Sequence, residues 1–140
     1  MIVLDTNVLS EMMRPRPAVE VLRWTGRYPR SQFLTTAITQ AEILYGIELL
    51  PRGRRRTALE AAASAMFEED FAGRIVPFDG DAARAFAHIA ARRRKLGRPI
   101  AQWDAQIAAI VRSLGAALAT RNTDDFQHCG IEVVNPWTAK

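Results

Sequence analysis

Apolar and polar positions along the chain fall into short blocks whose period changes repeatedly. Ile2-Val3-Leu4 is an unbroken apolar run that ends on Asp5-Thr6-Asn7, the pattern of a strand buried on both faces and closed by a helix-start signal. Val8, Leu9, Met12 and Met13 then fit a short helix that Arg14-Pro15-Arg16-Pro17 breaks, because the residue before proline is driven out of helical geometry. Pro17 suits the first turn of a second helix carrying Val19, Leu22 and Trp24. Phe33-Leu34-Thr35-Thr36 reads as a second strand, followed by a helix expected from Thr39 to Leu50 with Ile43, Leu44, Ile47 and Leu50 at helical spacing. A helix from Arg54 to about Glu69, a strand at Arg74–Phe78, and a long helix from Ala82 to Lys95 follow. The last blocks are a helix from Ala101 to Leu114 stopped by Gly115, then strands at Ala116–Thr120 and Ile131–Val134, with Asn135-Pro136 expected to end the folded part.

Strands that alternate with helices imply an α/β architecture: a mostly parallel five-stranded sheet with helices on both faces, formed as one domain over residues 1–140. Neither G-x-G-x-x-G nor G-x-x-x-x-G-K occurs, which argues against a dinucleotide-binding or P-loop enzyme.

Composition narrows the class further. An apolar fraction of 49% and a charged fraction of 24% are those of an ordinary globular protein. No segment approaches the ~20 apolar residues of a membrane span. A strand beginning at Met1 leaves no expected room for a signal peptide, so a cytoplasmic, membrane-free protein is the expectation. Cys129 is the only cysteine, and His88 and His128 are the only histidines, which removes disulfide frameworks and Cys- or His-rich metal sites. The net charge of +4 is carried almost wholly by arginine, in Arg52–Arg56 and in Arg92–Lys95 with Arg98 close behind. Such runs are either solvated helix faces or phosphate-binding surfaces, since the guanidinium fork bonds two oxygens at once.

Three acids stand out against this background. Asp5 closes the first strand, at the sheet edge where parallel α/β proteins bind ligands, although a turn role would also explain it. Glu42 lies three residues after Thr39 and near the same edge; it reads either as the partner in a capping box or as part of a site. Asp104 is the most telling. It extends the apolar line of Ile107, Ile110-Val111 and Leu114, where a carboxylate must be paired, hydrogen-bonded or bound to a cation. Thr120-Arg121-Asn122-Thr123-Asp124-Asp125 adds further polar groups after the fourth strand, with Asp124 expected to face solvent and Asp125 to be better anchored. Asp79 and Asp81 are explained by capping of the helix at Ala82. Oxygen ligands without His or Cys suit Mg²⁺ or Mn²⁺. Trp24, Trp103 and Trp137 read as core or interface anchors rather than base-stacking platforms.

Met1–Asn7, Thr39–Glu42, Ala101–Ala109 and Ala119–Phe126 together resemble the signature segments of PIN-domain proteins, and most nearly the toxins of VapBC-type toxin–antitoxin pairs, including the FitB-like branch. The resemblance extends to Asn135-Pro136-Trp137. It implies an α/β/α fold and a Mg²⁺- or Mn²⁺-dependent endoribonuclease. It also implies a homodimer neutralised by a cognate antitoxin, which in turn binds operator DNA. Asp5, Glu42 and Asp104 match the family's metal-holding acids, and Thr6 and Asn7 its polar pair; Thr120 and Arg121 are expected beside the substrate. Where some members carry a fourth Asp this chain has Asn122, whose carbonyl can ligate but brings no charge, so Asp125 or Asp124 is the alternative. A competing reading is a PIN-fold partner with little or no catalysis that serves to dimerise the antitoxin for repression.

Overall fold

The computed structural model describes all 140 residues. In chain order the elements are β1 (Ile2–Leu4), α1 (Thr6–Met12), α2 (Val19–Thr25), β2 (Phe33–Thr36), α3 (Ala37–Glu48), α4 (Arg54–Ala65), β3 (Ile75–Val76), α5 (Gly80–Lys95), α6 (Gln102–Leu114), β4 (Ala117–Ala119) and β5 (Glu132–Val134). A π turn over Met66–Asp70 extends α4, and a single 3₁₀ turn, Thr123–Phe126, follows β4.

The five strands form one sheet in the order β3-β2-β1-β4-β5, and every pairing is parallel. β1 is central, as its apolar run suggests. Successive strand residues point to opposite faces, and this splits the core in two. Leu4, Ala119 and Phe33 pack with α1–α4 residues such as Leu9, Val21, Trp24, Ile43 and Met66. Val3 and Leu118 pack on the other face with Ile89 of α5 and Ile107, Ala108 and Val111 of α6. The buried hydroxyl of Thr35 donates to the Leu4 carbonyl at 3.2 Å, so the polar residue in β2 is satisfied. Helices therefore cover both sides of the sheet. After β1 the chain builds outward through β2 and β3, then returns to lay β4 on the opposite side of β1. The crevice where the strand order reverses opens at the carboxyl ends of β1 and β4, the place where such sheets bind ligands.

Three expectations from sequence are corrected here. α3 begins at Ala37, not Thr39, because Thr36 is the residue that caps it: its hydroxyl accepts the Thr39 amide at 3.0 Å. Thr39 is thus inside the helix and the Thr39–Glu42 capping box does not form. The turn after β1 is capped by Asp5 itself, whose Oδ1 accepts the Thr6 amide at 2.8 Å, rather than by Thr6 or Asn7. Finally, Asn135-Pro136 turns the chain instead of ending the fold. The Asn135 side chain accepts the Trp137 amide at 2.9 Å, and Trp137 and Ala139 return to pack on the α1–α4 core.

Candidate active site

At the reversal point lies an open cleft of about 450 Å³ that has a single apolar residue, Trp137, in its lining. Asp5, Glu42 and Asp104 all line it, each delivered by a different element. Asp5 is buried at the end of β1. Its Oδ2 accepts a 2.7 Å hydrogen bond from the Thr120 hydroxyl, and Asn7 Nδ2 lies 3.5 Å away. Burial raises the Asp5 carboxyl above its ordinary range and the Asp125 charge adds to this, while the bonds from Thr120 and Thr6 oppose it.

Glu42, half-buried on α3, accepts a 3.1 Å bond from the Thr6 hydroxyl, which also reaches the Thr39 hydroxyl at 3.2 Å. Since the capping box is absent, Glu42 is free to face the cleft. Burial pushes its pKa up to about 7, assisted by the charges of Asp5 and Asp104 and countered by the Thr6 bond. Asp104 stands in the first turn of α6, on the line that continues into buried Ile107 and Val111. Burial, then the charges of Asp5 and Asp125, raise it to about 6, and Arg93 offsets part of this. None of the molecule's ion pairs involves these acids; they are Arg14–Glu11, Arg56–Glu48, Arg56–Glu60 and Arg84–Asp81. Three carboxylates thus repel one another in a partly desolvated cleft without a paired cation.

The donor set is all oxygen and lacks a neutralising partner, which is the chemistry a hard divalent cation requires. No three acidic, histidine or cysteine side chains stand close enough together to hold an ion among them as they are. An open arrangement of this kind suits Mg²⁺, which keeps several waters and takes only one or two carboxylates directly. The residues present therefore fit such an ion.

The loop after β4 is stitched to the start of α1. The Thr120 hydroxyl, besides holding Asp5, receives Asn7 Nδ2 at 3.2 Å and the Asn122 amide at 3.2 Å. The Asn7 Oδ1 in turn accepts the Arg121 amide at 3.0 Å. Thr6, Asn7, Arg121 and Asn122 line the cleft, whereas buried Thr120 works from behind Asp5. Asp125 does not line it; its amide closes the turn on the Asn122 carbonyl at 3.1 Å, and its charge still reaches Asp5 and Asp104. Asp124 is exposed and accepts from Gln127, while Asp79 caps α5 through the Ala82 amide.

Two neighbours escape a reading of the sequence alone. Glu11 is a buried acid of α1 that lines the cleft and accepts the Ala18 amide at 3.0 Å and Arg14 at 3.4 Å. Its spacing of four from Asn7 places it on the same helix face, a signal that was available. Trp137 also lines the cleft, with the Arg121 guanidinium 4.9 Å from its ring centroid. Only the fold of the tail brings it there.

Comparison with known proteins identifies the family to which this fold belongs. The sequence pattern of the PIN domain matches residues 2–131. The chain is 38% identical over 137 residues to VapC ribonuclease Y4jK of Sinorhizobium fredii, covering 98% of each protein. It is 37% identical over 137 residues to Toxin FitB of Neisseria gonorrhoeae, covering 98% of this chain and 99% of that one. A chain in the structure of FitAB bound to an IR36 DNA fragment superposes with a TM-score of 0.91 at 36% identity, covering 100% of this chain and 98% of that one. The three-layer α/β/α arrangement is the PIN fold, and the chain belongs to the PIN-domain family, in the VapC toxin group that includes FitB.

Proposed function

We propose that the protein is a metal-dependent endoribonuclease, the toxin of a type II toxin–antitoxin pair, acting in the cytoplasm. The observation that carries this reading is the meeting of Asp5, Glu42 and Asp104 from β1, α3 and α6, unpaired and raised in pKa, at the sheet's reversal point. Asp5, Glu42 and Asp104 would hold Mg²⁺ or Mn²⁺, with the Asn122 carbonyl oxygen as a neutral fourth donor and Asp125 adding charge from behind. When bound, such an ion supplies Lewis-acid stabilisation of the charge that develops as water attacks a phosphodiester. Thr120 fixes the Asp5 carboxylate, Thr6 fixes Glu42, and Asn7 locks the loop that presents Arg121 to the RNA backbone.

Partners follow from two apolar surfaces. A groove between α1, β2 and α4, lined by Met12, Met13, Phe33, Met66 and Phe71, fits an amphipathic segment of a cognate antitoxin. That antitoxin would carry the pair to operator DNA. Tyr45 and Trp103 are exposed large side chains close in sequence to Glu42 and Asp104, and their rings meet 6.1 Å apart edge to face. This exposed pair suits a second copy in a homodimer. The test is RNA cleavage with Mg²⁺ or Mn²⁺: Asp5→Asn and Asp104→Asn are expected to lose on the order of 10²-fold or more in rate and to stop arresting growth. Full cleavage and toxicity in both variants would overturn the assignment.

Asn122 favours a second reading. A chain with a neutral amide, Asn122, in place of a fourth metal-holding acid at the cleft could bind metal weakly and serve mainly to dimerise its antitoxin for repression. Growth unaffected by the chain alone, with operator binding tightened by the pair, would select that reading.

A further inference from the structure

The largest cleft in the molecule, about 850 Å³, lies on the outer flank of α5 and α6, away from the acids. Arg92, Lys95, Arg112, His88 and His128 line it, and no acidic residue does. Arg92, Lys95 and Arg112 take part in none of the molecule's ion pairs. Their neighbour Arg93 shows the contrast: it is buried and donates to the Asp125 and Gln127 carbonyls at 2.8 and 3.1 Å, so it is structural. Arg92 and Lys95 stay exposed on the same helix.

The far wall has an unusual backbone. His128 is the one non-glycine residue at positive φ, +63°, and Gly130 follows at +71°. The Arg112 guanidinium lies directly over Gly130, so close that a Cβ there would touch it at 3.5 Å. Histidine enters the left-handed region more readily than most side chains, so the chain can turn here without a glycine at position 128. The turn sets His128 and Arg112 in one wall, facing the Arg92–Lys95 edge of α5.

We propose that this cleft is a second phosphate-binding subsite that holds the backbone of the single-stranded RNA whose scissile bond lies at the acids. The inference rests on the nuclease reading for its choice of RNA. Unpaired arginines around a concave, acid-free surface match a polyanion. The stretch from Arg121 to Gly130 walls both clefts: Arg121 and Asn122 line the acidic one, His128 and Gly130 the basic one. His128 is six positions on from Asn122, at most roughly 20 Å of extended chain. That distance is short enough for one strand to occupy both clefts, with the exposed Asp124 and Asp125 on the stretch between them.

The test uses the full-length double variant Arg92→Gln/Lys95→Gln, which alters exposed residues only, with Arg112→Gln made separately because its side chain packs on Gly130. Fluorescence anisotropy with a labelled single-stranded RNA is read in EDTA, where no cleavage occurs. The double variant is expected to bind about 10-fold or more weakly. Its plot of log affinity against log salt should be shallower by roughly 1.4, about 0.7 for each lost phosphate contact. In the cleavage assay KM for long RNA should rise while kcat is unchanged. Wild-type affinity and salt slope in the double variant would overturn the subsite. So would a variant that binds RNA normally but changes oligomeric state, or weakens operator DNA binding by the toxin–antitoxin pair. If the wild type binds RNA through this cleft yet cuts none, the nuclease reading fails and the subsite stands. If it cuts RNA and the variant binds as tightly, the reverse holds.

Discussion

Thr120 is the residue on which the arrangement of the acids turns. It is fully buried, donates to Asp5 and accepts from both Asn7 and the Asn122 amide. One hydroxyl thus orients the central carboxylate and ties the loop after β4 to the first turn of α1. Thr120→Val keeps the shape and removes these bonds, leaving buried polar groups unpartnered at a cost of about 1–3 kcal/mol. Outer partners of metal ligands typically contribute 10- to 100-fold. The variant is expected to cleave RNA 10- to 100-fold more slowly and to need more Mn²⁺ for half-maximal rate, read from a metal titration of activity. Thr120→Ser, which restores the donor, should recover most of the loss.

At the scale of elements, α3 shows both how much the sequence reveals and where it misleads. Thr36 and Thr39 stand three apart, and either could cap a helix that carries Glu42. Choosing Thr39 makes Glu42 a capping partner; the cap at Thr36 moves the helix start and turns Glu42 to the cleft, where Thr6 holds it. Thr36→Ala should therefore destabilise the fold by ~1 kcal/mol in denaturant unfolding, the usual cost of a lost N-cap. Thr39→Ala should not show that capping loss. Asp104 was legible because α6 is strongly amphipathic and the acid sits on its apolar line. β1 was legible as the central strand because its apolar run allows no wet face. The place of Trp137 in the cleft was not legible, because an Asn-Pro turn looks like an ending and only tertiary packing returns the tail there. The division of the arginines was equally hidden. Arg92, Arg93, Arg94 and Lys95 look alike in sequence, and helix phase alone buries Arg93 against the 125–129 segment.

For the whole molecule, the clustered acids set a conflict between stability and function. Glu42 is raised from 4.5 to about 7 and Asp104 from 3.8 to about 6, with Asp5 raised as well. Between those limits the folded chain binds more protons than the unfolded one. Unfolding free energy therefore falls as pH rises from about 4 to about 7 and levels off above it, as far as these groups decide it. Asp104→Asn removes one repelling charge and should stabilise the metal-free protein at neutral pH and above, on the order of 1 kcal/mol after solvent screening of a half-exposed group. The same substitution should leave the acid side of the profile nearly unchanged, which urea unfolding across that range would show. A divalent cation would relieve the same repulsion and stabilise the folded state by mass action.

Whether the three acids hold a divalent cation is read from thermal unfolding with and without Mn²⁺, above about pH 7 where the carboxylates are ionised, for the wild type, Asp104→Asn and Glu42→Gln. Mn²⁺ is expected to raise the wild-type midpoint in a saturable manner, both variants to start higher without metal, and neither to gain from Mn²⁺. An equal Mn²⁺-induced rise in all three proteins, or no rise in the wild type, would contradict that expectation.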